Sequence, residues 1–106
     1  MALICTEENR RMTAAVEGEL DHHRAKELME ELDRRLDEGL PRELTVDLSG
    51  LTFTDSSGIS VLLRTYRRMA ELEGTMEVVG ASKQAMRVFR TAGLDRLIRF
   101  HNKDKG

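Results

Sequence analysis

Apolar residues recur at every second position near the start of the chain and at every third or fourth position further on. This change of period marks out the elements. Leu3 and Cys5, then Met12, Ala14 and Val16, alternate with polar neighbours on either side of Glu8-Asn9-Arg10. That pattern predicts two short strands joined by a polar turn, and so tight a connection makes the pair antiparallel. Gly18 and Asp21 interrupt the alternation. Asp21 is suited to cap a helix, because a short carboxylate accepts the free backbone N–H groups of a first turn. From His22 to about Asp37 the apolar residues Ala25, Leu28, Met29, Leu32 and Leu36 fall on one helical stripe. On the wet side Glu30 stands one turn before Arg34, and Glu31 one turn before Arg35, the favourable order for such pairs. Gly39 is the expected helix stop, and Pro41 prevents simple continuation.

In "ELTVDLSG" the residues Leu44, Val46 and Leu48 alternate as a strand. After "FTDSSG" a second helix is predicted from about Ser57 to Leu72, with Ile59, Leu62, Leu63, Tyr66, Met69 and Ala70 inward and Gly74 as its terminator. "TMEVVGA" reads as a short strand. Ser82 then caps a third helix, with Ala85, Met86 and Phe89 facing the core and Gly93 stopping it. "LIRF" is a final strand, and residues 101–106 form a polar tail. Strands alternating with helices of this length imply an α/β fold. The expectation is a mixed sheet of four or five strands, with the N-terminal pair antiparallel and the helices chiefly on one face.

Composition narrows the class. The 106 residues correspond to one small domain, which we expect to be complete, with a core over about 3–100. With no Trp, one Tyr and three Phe, that core must be mainly aliphatic. The net charge of −2, with both signs interspersed, does not suit a binder of nucleic acid or of an anionic membrane. Cys5 has no second cysteine to pair with, which fits a reducing compartment. The start of the chain has no signal-peptide pattern and no apolar run is long enough to span a bilayer, so the expected location is the cytoplasm.

Side-chain chemistry is concentrated in Asp55-Ser56-Ser57-Gly58, where a strand meets a helix. A serine nucleophile needs a base within reach and donors for an oxyanion. The spacing is not that of a G-x-S-x-G elbow. The histidines are the pair His22-His23 and the distant His101. A small hydrolase using Ser56 with His22 or His23 is therefore an alternative, and a polar pair in a first helical turn is the plainer reading. One His-His pair and a lone cysteine match no zinc spacing. A single glycine with no following lysine is not a phosphate-binding loop. No catalytic residue, metal ligand or cofactor is assigned. Capping explains one oxygen of the junction, but three consecutive side chains carry one. A spare hydroxyl at a helix mouth suits a phosphate switch: the modification adds about −1.5 to −2 charges, which a helix N-terminus tolerates and a partner packed over it does not. Asp21 and Asp55 would add like-charge repulsion.

These residues have a family likeness. "GELDHH" (18–23), "VDLSGLTFTDSSGISVLLRTYRRM" (46–69) and "GTMEVVGASKQAMRVFRTAGLDRLIRF" (74–100) resemble, in order and spacing, the bacterial anti-sigma factor antagonists of the STAS class. Within that family the likeness runs to the sporulation branch that controls sigma F, with the general-stress partner-switching branch as the alternative. The resemblance implies a regulatory binding module and not an enzyme. Its unphosphorylated form would bind an anti-sigma factor that is also a serine kinase, and so free the sigma factor. Phosphorylation would end the binding, and a metal-dependent serine phosphatase would restore it. By position, Ser56 would be the phosphoacceptor and Ser57 a cap. Asp21, Asp55, Ser56, Ser57, Gly58 and Ile59 would form the partner-binding surface. No nucleic acid or membrane partner is implied, and the free chain is expected to be a monomer. Thr54 stands where many relatives carry an apolar residue and Ser60 where glycine is common; the resemblance implies that both tune affinity or kinase recognition.

Overall fold

The computed structural model describes residues 2–103; residues 104–106 of the expected polar tail lie outside the described residues. β1 (Ala2–Glu8) and β2 (Arg11–Leu20) form the antiparallel hairpin, with Leu3 opposite Val16 and Cys5 opposite Ala14. Asn9 and Arg10 both have positive φ, 55° and 64°. A two-residue hairpin turn uses that left-handed pair to follow the strand twist. β2 does not end at Gly18. The glycine has φ 99° and the register shifts after it, so the chain bulges and continues to Leu20.

α1 (His22–Gly39) buries Ala25, Leu28, Leu32 and Leu36, the stripe read from the spacing. Its stop is displaced by one residue: Leu40, not Gly39, adopts the left-handed conformation (φ 44°, ψ 55°) and donates its N–H to Leu36 O at 2.8 Å. Gly39 serves a different purpose. A Cβ there would lie 2.7 Å from Glu7 Oε1 and 2.8 Å from Met12 Cε, so the glycine lets the helix end approach the hairpin. Glu31 takes both Arg34 and Arg35. Arg64–Asp33 and Arg68–Asp37 then tie α1 to the next helix.

β3 (Glu43–Asp47) runs parallel to β2, and after a turn at Leu48-Ser49-Gly50 the chain returns to β2 further along as β4 (Leu51–Thr54). α2 (Ser57–Glu71), β5 (Thr75–Val79), α3 (Lys83–Thr91), a 3₁₀ turn (Leu94–Arg96) and β6 (Arg99–His101) follow. The sheet has six strands in the order β1-β2-β3-β5-β6, with β4 paired to β2. The added strand is β4, whose four residues show no alternation of burial and carry no periodic signal.

The three helices pack on the sheet face that presents Met12, Ala14, Val16, Val46 and Val78, giving one aliphatic core. Phe89 is the large aromatic in it, 1% exposed and stacked on Phe100. α2 departs from its predicted stripe. Thr65 is buried and returns its hydroxyl to Val61 O at 2.8 Å, whereas Ala70 is exposed and Tyr66 half-buried. Ser82 caps α3 by accepting from Ala85 N at 3.1 Å, and Gly93 ends it at φ 76°. The end of α2 is reached earlier: Glu73 takes positive φ, and Gly74 is required by the close passage of Arg42 O, 2.7 Å from where a Cβ would sit.

Candidate functional site

β2 and β4 end side by side, since Leu20 is the partner of Thr54. Asp21 and Asp55 therefore emerge next to each other, and the first turns of α1 and α2 open from the same end of the sheet. Asp21 caps α1: its Oδ1 accepts the Arg24 N–H at 3.0 Å and its Oδ2 pairs with the Arg24 guanidinium at 3.2 Å. The Arg24 backbone N–H is the main reason why the Asp21 carboxyl lies below its ordinary pKa. His22 and His23 pack edge-on against each other with ring centroids 5.9 Å apart.

Asp55 organises the second junction. Its Oδ1 accepts the Ser57 N–H at 2.7 Å, an Asx turn, and its carbonyl accepts the Gly58 N–H at 3.1 Å. The carboxylate thus takes the capping role that the sequence suggested for Ser57. Ser56 sits at the N-cap position with helical dihedrals (φ −64°, ψ −13°) and makes no side-chain capping bond. It is exposed, whereas Ser57 and Ile59 are half-buried. Among the described residues, no side chain hydrogen-bonds the Ser56 hydroxyl, neither His22 nor His23 included.

Gly58 is buried for a steric reason. A Cβ on it would fall 2.2 Å from Thr54 Oγ1 and 3.4 Å from Phe89 Cε1. Its backbone is not left-handed, so the turn does not demand the glycine; the neighbours do. Thr54 is wholly buried, and its hydroxyl donates to Asp55 O at 2.9 Å. It lies beneath the junction, out of direct reach of a partner, unlike the exposed Ser60. Gln84 of α3 also belongs to the junction, and nothing in the sequence indicated it. Its Nε2 donates to Thr54 O at 2.7 Å and its Oε1 accepts the Thr54 N–H at 3.2 Å.

A sheet with one antiparallel hairpin, parallel strands beyond it and two acid-capped helix mouths at one end matches a known family. Residues 6–99 match the family model described as "Mlab, STAS domain", and the chain belongs to that family. An anti-sigma F factor antagonist from Lysinibacillus sphaericus is 30% identical over 77 residues, 73% of this chain and 66% of the relative. The chain thus spans just under two thirds of that relative. An anti-sigma-B factor antagonist from Bacillus subtilis is 26% identical over 91 residues, 86% of this chain and 82% of the relative. Among solved structures, the anti-sigma factor antagonist SpoIIAA in its unphosphorylated form superposes with a TM-score of 0.82 at 22% identity. That match covers 98% of this chain and 91% of SpoIIAA, and it shows the shared fold. No helix among the described residues is long and apolar enough to cross a membrane.

Proposed function

We propose that this chain is an anti-sigma factor antagonist switched by phosphorylation of Ser56. The observation that carries the reading is the division of labour at the mouth of α2: Asp55 makes the cap, and the neighbouring Ser56 hydroxyl is left exposed and unbonded. A hydroxyl that stabilises nothing can be modified without unfolding its host. The relatives named for both the sigma F and the sigma B circuits support the coarser role. In the unphosphorylated state the surface of Asp21, Asp55, Ser56, Ser57 and Ile59, with the buried Gly58 beneath it rather than on it, binds an anti-sigma factor, which is also the serine kinase. A metal-dependent phosphatase removes the phosphate. The circuit is that of the sporulation sigma factor, with the general-stress circuit as the second reading. Family membership and the mouth geometry fit either circuit, and the ground for putting the sporulation circuit first is the 30% identity to an anti-sigma F factor antagonist, against 26% to the anti-sigma-B one.

The mechanism is electrostatic. Phosphorylation places about −1.5 to −2 charges at the helix N-terminus, where the helix dipole favours an anion although Asp55 already takes the Ser57 and Gly58 N–H groups. Asp55 sits beside it and Asp21, paired with Arg24, at the adjacent helix mouth, so a docked partner would face the added charge next to an existing carboxylate. An unpaired charge enclosed in a contact costs about 3–5 kcal/mol, a loss of affinity of two orders of magnitude or more. The test uses the purified anti-sigma kinase and ATP. The wild type should gain one phosphate by mass spectrometry and Ser56→Ala none, with Ser56→Ala retaining its affinity by calorimetry. Ser56→Asp should bind far more weakly and melt at the wild-type temperature. Stoichiometric phosphorylation of Ser56→Ala would refute the acceptor assignment. Capture of the sigma factor's kinase from cells separates the two circuits.

A further inference from the structure

Among the described residues, β4 has a strand partner on one side, β2, and none on the other. Its pairing with β2 uses the groups that flank Thr54, as in the Asp55 N–H to Leu20 O bond of 3.2 Å. The N–H and C=O of Thr54 itself face away from β2, towards the place where another strand would lie. β5 does not fill that place: its pairing with β3 ends at Asp47 and Val79, before β4 begins. Two backbone groups of a wholly buried residue would then be unsatisfied, a state that folded proteins avoid.

The Gln84 side chain supplies the missing partner. A primary amide carries the donor and acceptor of a peptide unit, and both are used on one residue: Nε2 to Thr54 O at 2.7 Å, Thr54 N to Oε1 at 3.2 Å. Gln84 lies five residues before Phe89 on the same helix, and Phe89 Cε1 lies 3.4 Å from where a Cβ on Gly58, in the first turn of α2, would sit. α3 therefore grips the Ser56 loop at both ends, at Thr54 before it and at Gly58 after it.

We propose that Gln84 is a positioning residue for the Ser56 loop: its side-chain amide stands in for the strand that β4 lacks, so that presentation of Ser56 depends on α3. This rests on the reading of Ser56 as the acceptor. Without the amide, Thr54 can leave the sheet and the Asp55–Ser56 segment samples other conformations, of which only a fraction fit the kinase. A partner that requires the populated form then binds with an apparent affinity reduced by that fraction.

The experiment compares the wild type with Gln84→Met, which keeps the length of the side chain and removes both hydrogen bonds. Amide hydrogen exchange by NMR should show Thr54 exchanging at least about tenfold faster in the variant and close to its unprotected rate, because its acceptor is gone, with Val46 and Val78 unchanged. In phosphorylation assays with the anti-sigma kinase, KM for the variant should rise at least about threefold with kcat within about twofold, the mark of fewer competent molecules rather than altered chemistry. Protection of Thr54 within about twofold of wild type would overturn the clamp. Faster exchange with an unchanged KM would overturn the positioning role. A wild-type chain that takes no phosphate would refute the acceptor reading instead, and the exchange result would still decide whether Gln84 holds the loop.

Discussion

Substituting Gly58 by alanine tests the reading that space, and not backbone freedom, fixes this glycine. The new Cβ would lie 2.2 Å from Thr54 Oγ1, so that the hydroxyl must retreat by about 1 Å. Thr54 has no room to do so freely: it is wholly buried, Gln84 holds its backbone, and its hydroxyl is bonded to Asp55 O. Turning the side chain away loses that bond, about 1 kcal/mol, and forcing it into packed surroundings adds about 1–3 kcal/mol. Alanine recovers up to about 1 kcal/mol of helix propensity, less so near the helix start. The expected net destabilisation is about 1–3 kcal/mol by urea unfolding with an unchanged m value. Thr54→Ala alone should cost about 1–2 kcal/mol for the lost methyl and hydroxyl. In the double variant the Gly58 methyl occupies the space that Thr54 vacates, so the costs should fall short of additivity by at least about 1 kcal/mol. Additivity within about 0.5 kcal/mol would show that the two side chains do not compete for one space and would refute the steric account.

Asp47 gives a pH signature. Burial pushes its carboxyl up, but hydrogen bonds from Lys103 and from the Ser49 hydroxyl and N–H outweigh this and hold it below the ordinary range. A carboxyl depressed on folding stabilises the protein above its unfolded pKa, about 3.9, and that contribution is lost as pH falls through the lower folded value. Asp47→Asn should thus cost about 1–3 kcal/mol at pH 7 by urea unfolding, with the gap to wild type closing in acid; a pH-independent gap would contradict it. Leu40→Gly should not destabilise, because leucine at φ 44° carries a left-handed penalty of about 1–2 kcal/mol that offsets the greater unfolded-state freedom of glycine. A fall of more than about 1 kcal/mol in chemical denaturation would mean that the half-exposed Leu40 side chain contributes packing that outweighs the strain. Phe89→Ala should cost about 3–5 kcal/mol by the same measurement and loosen the grip on Gly58; a cost below about 1 kcal/mol would show that the site collapses around the loss.

What the sequence determined by itself was local. The period of two placed the hairpin and β3, the period near 3.6 placed three helices, and Asp21 and Ser82 announced caps that the structure contains. Each of these depends on residues within a turn or two of one another, so spacing and side-chain type suffice to reveal it. The exposed Ser56 beside an acid was legible for the same reason. Tertiary structure decided everything that depends on which distant atoms come close. The glycines show this best, for Gly39, Gly58 and Gly74 look like turn residues in sequence. Each is set instead by a neighbour from elsewhere in the fold: Glu7 and Met12, Thr54 and Phe89, and Arg42. The same holds for β4, which has no periodic signal and exists because β2 passes its bulge and offers an edge. Gln84 is the extreme case. Thirty residues separate it from Thr54, and only the docking of α3 against the end of β4 turns an ordinary helical glutamine into the substitute for a strand.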